Sequence, residues 1–99
     1  MAYNLKLHRD VEKQLQRIPK KQRERLVATM RSLRDNPRPQ GAVKLMGPLY
    51  RIRKGEYRIV YAVFDEQAVI VVSKVARRTE ATYRDLAQLL ERAGRQLGE

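Results

Sequence analysis

The sequence predicts an α+β domain: a small antiparallel sheet with an N-terminal helical hairpin on one face and a C-terminal helix, ordered β-α-α-β-β-β-α. Three observations carry that expectation. Apolar residues recur at helical spacing in two adjacent stretches before residue 35. Runs rich in β-branched and aromatic residues, separated by short turns, fill 49–75. After residue 79 the pattern returns to helical spacing. At 99 residues the chain reads as a single domain, 1–99, without repeat, linker or low-complexity tract.

Each element follows from local chemistry. Residues 3–7 alternate apolar and polar, as a short strand does. Asp10 is the expected cap of a helix over 10–17, with Val11, Leu15 and Ile18 on one face. Pro19 separates it from a second helix over 20–34, which turns Leu26, Val27, Met30 and Leu33 inward and Lys21, Arg25 and Arg31 outward. The turn-rich segment 35–41, with Pro37, Pro39 and Gly41, ends that helix. Strands are expected at 49–53, 57–64 and 68–75, joined by Lys54-Gly55-Glu56 and Asp65-Glu66. Residues 68–72 are apolar on both faces, as in a central strand covered on both sides. Tyr50, Tyr57 and Tyr61 read as sheet-packing residues. Thr79 is the expected cap of the last helix, with Glu80 in its first turn. Tyr83, Leu86, Leu90 and Ala93 line one face, and Gly94 and Gly98 fray the end.

Charge bounds the function. Twenty-two Lys and Arg against eleven Asp and Glu leave a net charge of +11. Fifteen of those cations are arginine, whose flat fork of donors matches phosphate. RNA, DNA or an acidic protein is the expected partner, with affinity falling steeply in salt. The chain has no cysteine, which excludes disulfides and thiolate metal sites. A single histidine, His8, and the lack of a tight acid cluster speak against zinc. No signal-peptide pattern and no apolar run long enough for a membrane are present, so a cytoplasmic protein is expected.

Four arginines sharpen this. Along a strand, Arg51 and Arg53 point to one face with Ile52 opposite. The Lys54-Gly55-Glu56 turn brings Arg58 beside them, and Arg78 follows the next strand. Clustered guanidinium groups repel one another, and a phosphodiester is the simplest anion to lie between them. His8, by contrast, stands in no motif and reads as structural. Glu56, beside the cluster, reads as a solvated turn acid or as a general base.

At Tyr50-Arg51-Ile52-Arg53, Tyr57-Arg58-Ile59-Val60-Tyr61 and Val75-Ala76-Arg77-Arg78, with Tyr83 beyond, the chain resembles the RelE branch of the RelE/ParE toxins of toxin–antitoxin systems. The likeness runs from Tyr3 to about Leu90. It implies a RelE-like fold and a ribosome-dependent endoribonuclease that cuts mRNA in the A site and so inhibits translation. It also implies an antitoxin, RelB-like and acidic, held in a toxin–antitoxin hetero-oligomer. Such an antitoxin would silence the site by covering the arginines or by moving the last helix, where the Leu86/Leu90 stripe is either core or antitoxin seat. The family places basic residues, often lysines, at Arg51 and Arg53, arginines at Arg58 and Arg78, and a tyrosine at Tyr83. Here both lysine positions hold arginine, which is a poor general base.

In the chemistry so implied, a ribose 2′-hydroxyl attacks the adjacent phosphate and leaves a 2′,3′-cyclic phosphate. Arg58 is the expected stabiliser of phosphorane charge, and Arg78 stands near the leaving oxygen. Tyr83 stacks on a base or holds the reacting hydroxyl. Arg51, Arg53, Lys54 and Arg77 are the expected phosphate contacts. No metal or organic cofactor is expected. Two rivals stay open: a ParE-like poison of DNA gyrase, and a non-catalytic nucleic-acid-binding module. The basic outer face of the second helix is either solvated or a contact for ribosomal RNA backbone.

Overall fold

A computed structural model describes residues 2–79 and 85–98. Its elements are β1 (Asn4–Leu7), α1 (Arg9–Gln16), α2 (Lys20–Ser32), β2 (Val43–Met46), β3 (Leu49–Lys54), β4 (Tyr57–Phe64), β5 (Val69–Arg77) and α3 (Leu86–Leu97). The strands form one sheet in the order β1-β5-β4-β3-β2. The α+β order is the one the sequence predicts, with two additions. β2 is an extra edge strand, and β1 joins β5 in parallel, so the sheet is mixed.

Both faces of the sheet are covered. Val11, Leu15 and Ile18 from the α1 segment and Leu26, Met30 and Leu33 from the α2 segment pack on Tyr57, Ile59, Tyr61 and Val63 of β4 and on Ile70, Val72 and Val75 of β5. On the other face, Leu89 and Ala93 of α3 seal Leu49, Val60, Ala62, Val69 and Val71. β5 is therefore an interior strand, apolar both ways as its composition foretold, and the core forms two layers.

Capping differs from expectation. His8, not Asp10, is the N-cap of α1: its Nδ1 accepts a hydrogen bond from the Asp10 N–H at 3.1 Å. Asp10 lies in the first turn, where its charge suits the helix dipole, and it pairs with Arg92 of α3 at 3.2 Å. The N-cap of α3 is Asp85 rather than Thr79; Glu80 lies outside the described residues. Gly94 is inside α3 and Gly98 is its C-cap. Leu89 is the fully buried leucine of this helix, with Leu86 and Leu90 packed beside it.

A surface clasp fixes the connection between α2 and β2. Arg38 forks onto Asp65, with nitrogen–oxygen distances of 2.7 and 3.2 Å. It also donates to the Tyr50 hydroxyl at 2.9 Å and lies 5.2 Å from the Tyr50 ring centroid. The Tyr3 hydroxyl donates to the same Asp65 at 2.7 Å. Arg38 and Tyr3 together hold the Asp65 carboxyl below its ordinary range. Among the described residues, no helix is long and apolar enough to cross a membrane.

Candidate nucleic-acid interface

The β3–β4 hairpin builds the site. Gly55 adopts φ +59° in its turn, a conformation that costs other residues about 1–2 kcal/mol. That turn sets the register in which Arg53 stands directly opposite Arg58, and Arg51 opposite Val60. Val60 belongs to the core under α3, so Arg51, Arg53 and Arg58 share the α3 face. Like charges directly opposite on neighbouring strands are destabilising. The pairing sets the Arg53 and Arg58 side chains next to each other on one face. Arg51 and Arg58 are half-buried, while Arg53 is exposed.

A bulge in β5 decides what joins them. Val60 pairs with Lys74 and Tyr61 with Val72, which leaves Ser73 as the extra residue. Ser73 is fully buried, and its carbonyl accepts a hydrogen bond from Arg92 at 3.1 Å. The bulge reverses the alternation downstream. Lys74 and Ala76 turn to the α3 face beside Val60 and Arg58, while Val75 and Arg77 turn to the helical-hairpin face beside Ile59 and Tyr57.

The seven predicted site residues are thereby divided. Arg51, Arg53 and Arg58 come together. Lys54 and Arg77 flank Tyr57 on the reverse face. Arg78 follows β5, and its backbone N–H donates to the Glu56 carbonyl at 2.6 Å, which ties it to the hairpin turn. Tyr83 lies outside the described residues. Glu56 is exposed in that turn.

Lys74 is a cation of this face that sequence reasoning did not single out. It bonds Asp85, at the start of α3, at 3.0 Å. Two steps of strand period separate it from Arg78, but the bulge that puts it on this face has no sequence signature.

Four acids pair with cations elsewhere. Arg38, Lys74, Arg92 and Arg95 are held by Asp65, Asp85, Asp10 and Glu91. Among the described residues, no acid forms an ion pair with Arg51, Arg53, Lys54, Arg77 or Arg78. Five cations without an acid partner among the described residues thus stand at the hairpin-turn end of the sheet.

Known proteins share this architecture. Residues 5–82 match the family described as the ParE toxin of the type II toxin–antitoxin system parDE. The chain thus belongs to the RelE/ParE superfamily of type II toxins. Within it, the relatives are RelE-like. An Escherichia coli protein named as a RelE-like toxin is 30% identical over 90 residues, spanning 88% of this chain and 95% of the relative. The archaeal RelE–RelB complex of Pyrococcus horikoshii OT3 matches with 35% identity and a TM-score of 0.75, over 82% of this chain and 100% of that one. The intact E. coli RelBE toxin–antitoxin complex matches with 28% identity and a TM-score of 0.68, over 77% of this chain and 96% of that one.

Proposed function

We propose that this toxin is an endoribonuclease that cuts messenger RNA in the ribosomal A site, by attack of a 2′-hydroxyl on the adjacent phosphate. The observation that carries the reading is the direct pairing of Arg53 with Arg58, with Arg51 on the same face and Arg78 tied to the same turn. Fixed cations placed where phosphorane charge builds lower the barrier without reorganising during the reaction. Arg58, half-buried on a central strand, is the principal stabiliser. Arg78 serves the leaving oxygen, Tyr83 serves the base or hydroxyl, and Arg51 and Arg53 orient the backbone.

The arginines at the family's lysine positions are poor proton acceptors. The rate must therefore rest on positioning and charge, and positioning is worth up to about 7–11 kcal/mol in well-aligned cases. Positioning requires that something else hold the message in an in-line geometry, and the ribosome does so. Cleavage should accordingly be efficient on cytoplasmic ribosomes and weak on naked RNA. Primer extension on a translated message and on the same transcript alone tests this. Equal cutting of the two, or undiminished cutting by Arg58→Ala, refutes it.

The RelB complexes of the neighbours support an antitoxin as partner, and the +11 charge of this chain suits an acidic one. The match to the ParE family favours a second reading, inhibition of DNA gyrase. That reading predicts stalled replication with intact message.

A further inference from the structure

β5 outruns its neighbour on one side. β1 pairs with it only as far as Leu7 opposite Val72, and the His8 N–H closes that ladder on the Val72 carbonyl at 3.0 Å. β5 continues to Arg77. Among the described residues, the half that leads to Arg78 has β4 on one edge and no strand on the other. In an antiparallel ladder, alternate residues turn their N–H and C=O groups away from the partner strand. Ser73 and Val75 do so here, and both are buried. Buried backbone groups must find partners or destabilise the fold.

Two side chains complete that edge, one from each face of the sheet. Arg92 of α3 donates from Nη1 to the Ser73 carbonyl at 3.1 Å. The Gln14 Oε1 of α1 accepts from the Val75 N–H at 3.0 Å. Arg92 is itself steered, because its Nη2 pairs at 3.2 Å with Asp10, one turn before Gln14 on α1. Helices from opposite faces thus meet around the end of β1 and grip β5 at the bulge and two residues beyond it.

The bulge decides which arginine reaches the Arg58 side. With Ser73 as the extra residue, Lys74 and Ala76 lie on the α3 face and Arg77 on the other. Arg78 is next in that alternation, its N–H bonded to the Glu56 carbonyl. A slip of one residue would exchange Arg77 and Arg78 between faces. Core packing of Val75 favours the observed register. Ser73, however, has no residue opposite it in β4, and among the described residues its hydroxyl has no hydrogen-bond partner.

We propose that Gln14 and Arg92 are positioning residues for the cleavage reaction. They lock β5 along its open edge, fix the bulge at Ser73, and so place Arg78 rather than Arg77 on the side of Arg58. Both act through the strand and not on the substrate. The inference rests on the reading above, in which Arg78 serves the cleavage site, and adds the two residues that put it there.

The test pairs a structural readout with a kinetic one on the full chain. Gln14→Leu and Arg92→Met keep apolar stems and remove the acceptor and the donor. Amide hydrogen exchange, followed by NMR, compares Arg78 with Ile70, which lies in β5 before the bulge. The double variant should speed exchange at Arg78 about tenfold relative to Ile70, whereas general destabilisation moves both alike. In single-turnover cleavage of ribosome-bound message, the saturating rate should fall about 10–100-fold with half-saturation unchanged. Each single variant should show the same pattern at smaller size. Gln14→Glu, which keeps an acceptor, should recover the exchange and the rate that Gln14→Leu loses.

An Arg78 amide as protected in the variants as in wild type overturns the proposal. So does full cleavage by a variant whose Arg78 amide has been released. Wild type that leaves ribosome-bound message intact would defeat the ribonuclease reading alone; the exchange comparison would still decide whether Gln14 and Arg92 place Arg78.

Discussion

Tyr61→Phe isolates a single buried hydroxyl and makes a prediction with two arms. Tyr61 has no solvent exposure. Its hydroxyl donates to the Pro37 carbonyl at 2.7 Å, and its ring stacks on Tyr50 with centroids 5.9 Å apart. Phenylalanine keeps the ring and the stack and removes only the hydrogen bond. The expected cost at neutral pH is about 1–2 kcal/mol, because a carbonyl of the α2–β2 connection loses its donor.

The second arm is pH. Burial, then the neighbouring Tyr50 hydroxyl, pushes the Tyr61 phenol up to about 12, with Arg38 pulling slightly the other way. A folded value above the unfolded value of about 10 means stability that is fully present below pH ~10 and lost as pH rises toward ~12. At pH ~11 that linkage removes roughly 1.4 kcal/mol from wild type and nothing from Tyr61→Phe. Paired urea denaturation curves should therefore show a gap of about 1–2 kcal/mol at neutral pH that nearly closes by pH ~11. A gap that stays constant across this range, or a variant as stable as wild type at neutral pH, contradicts the reasoning.

Other perturbations should behave as follows. Leu89→Ala, under 3% exposed in wild type, should cost about 2–4 kcal/mol in chemical denaturation through the cavity left under α3. Ala68 holds φ +54° before β5, so Ala68→Gly should stabilise by up to about 1 kcal/mol despite the entropy of glycine, read as a rise in thermal midpoint. Asp65→Asn removes a clasp whose two ends are about half exposed, so its effect at neutral pH should be small. The Asp65 carboxyl is held low in the folded state. Whatever the clasp contributes is therefore present above the unfolded carboxylate value and vanishes as pH falls through the folded one; thermal melts of wild type and Asp65→Asn should converge in acid.

The sequence reveals those parts of the fold that period and turn chemistry decide locally. Arg51, Arg53 and Arg58 could be grouped because a two-residue period and a glycine turn fix faces and register. β5 could be read as interior because it is apolar in both directions. What escaped depends on longer-range choices. β2 is four residues long and only Leu45 is even partly buried, so it carries almost no pattern. Histidine is not among the favoured N-cap residues, and His8 assumes that role because the parallel pairing of β1 delivers it to the start of α1. The Ser73 bulge matters most for the site. Simple alternation along β5 carries Arg77 to the α3 face, and one inserted residue sends it to the other. Lys74 was hidden by the same shift.

The central claim is that Arg53 and Arg58 act on one phosphate, and a double-mutant cycle in single-turnover cleavage of ribosome-bound message tests it most directly. Arg58→Ala alone should slow cleavage by about 10²–10³, as the loss of one fixed transition-state donor does. If both guanidiniums serve the same phosphate, the double variant should fall short of the summed single effects by about 0.5–3 kcal/mol. Additivity within about 0.3–0.5 kcal/mol would mean that the two arginines act independently, and the account of a converged site would be wrong.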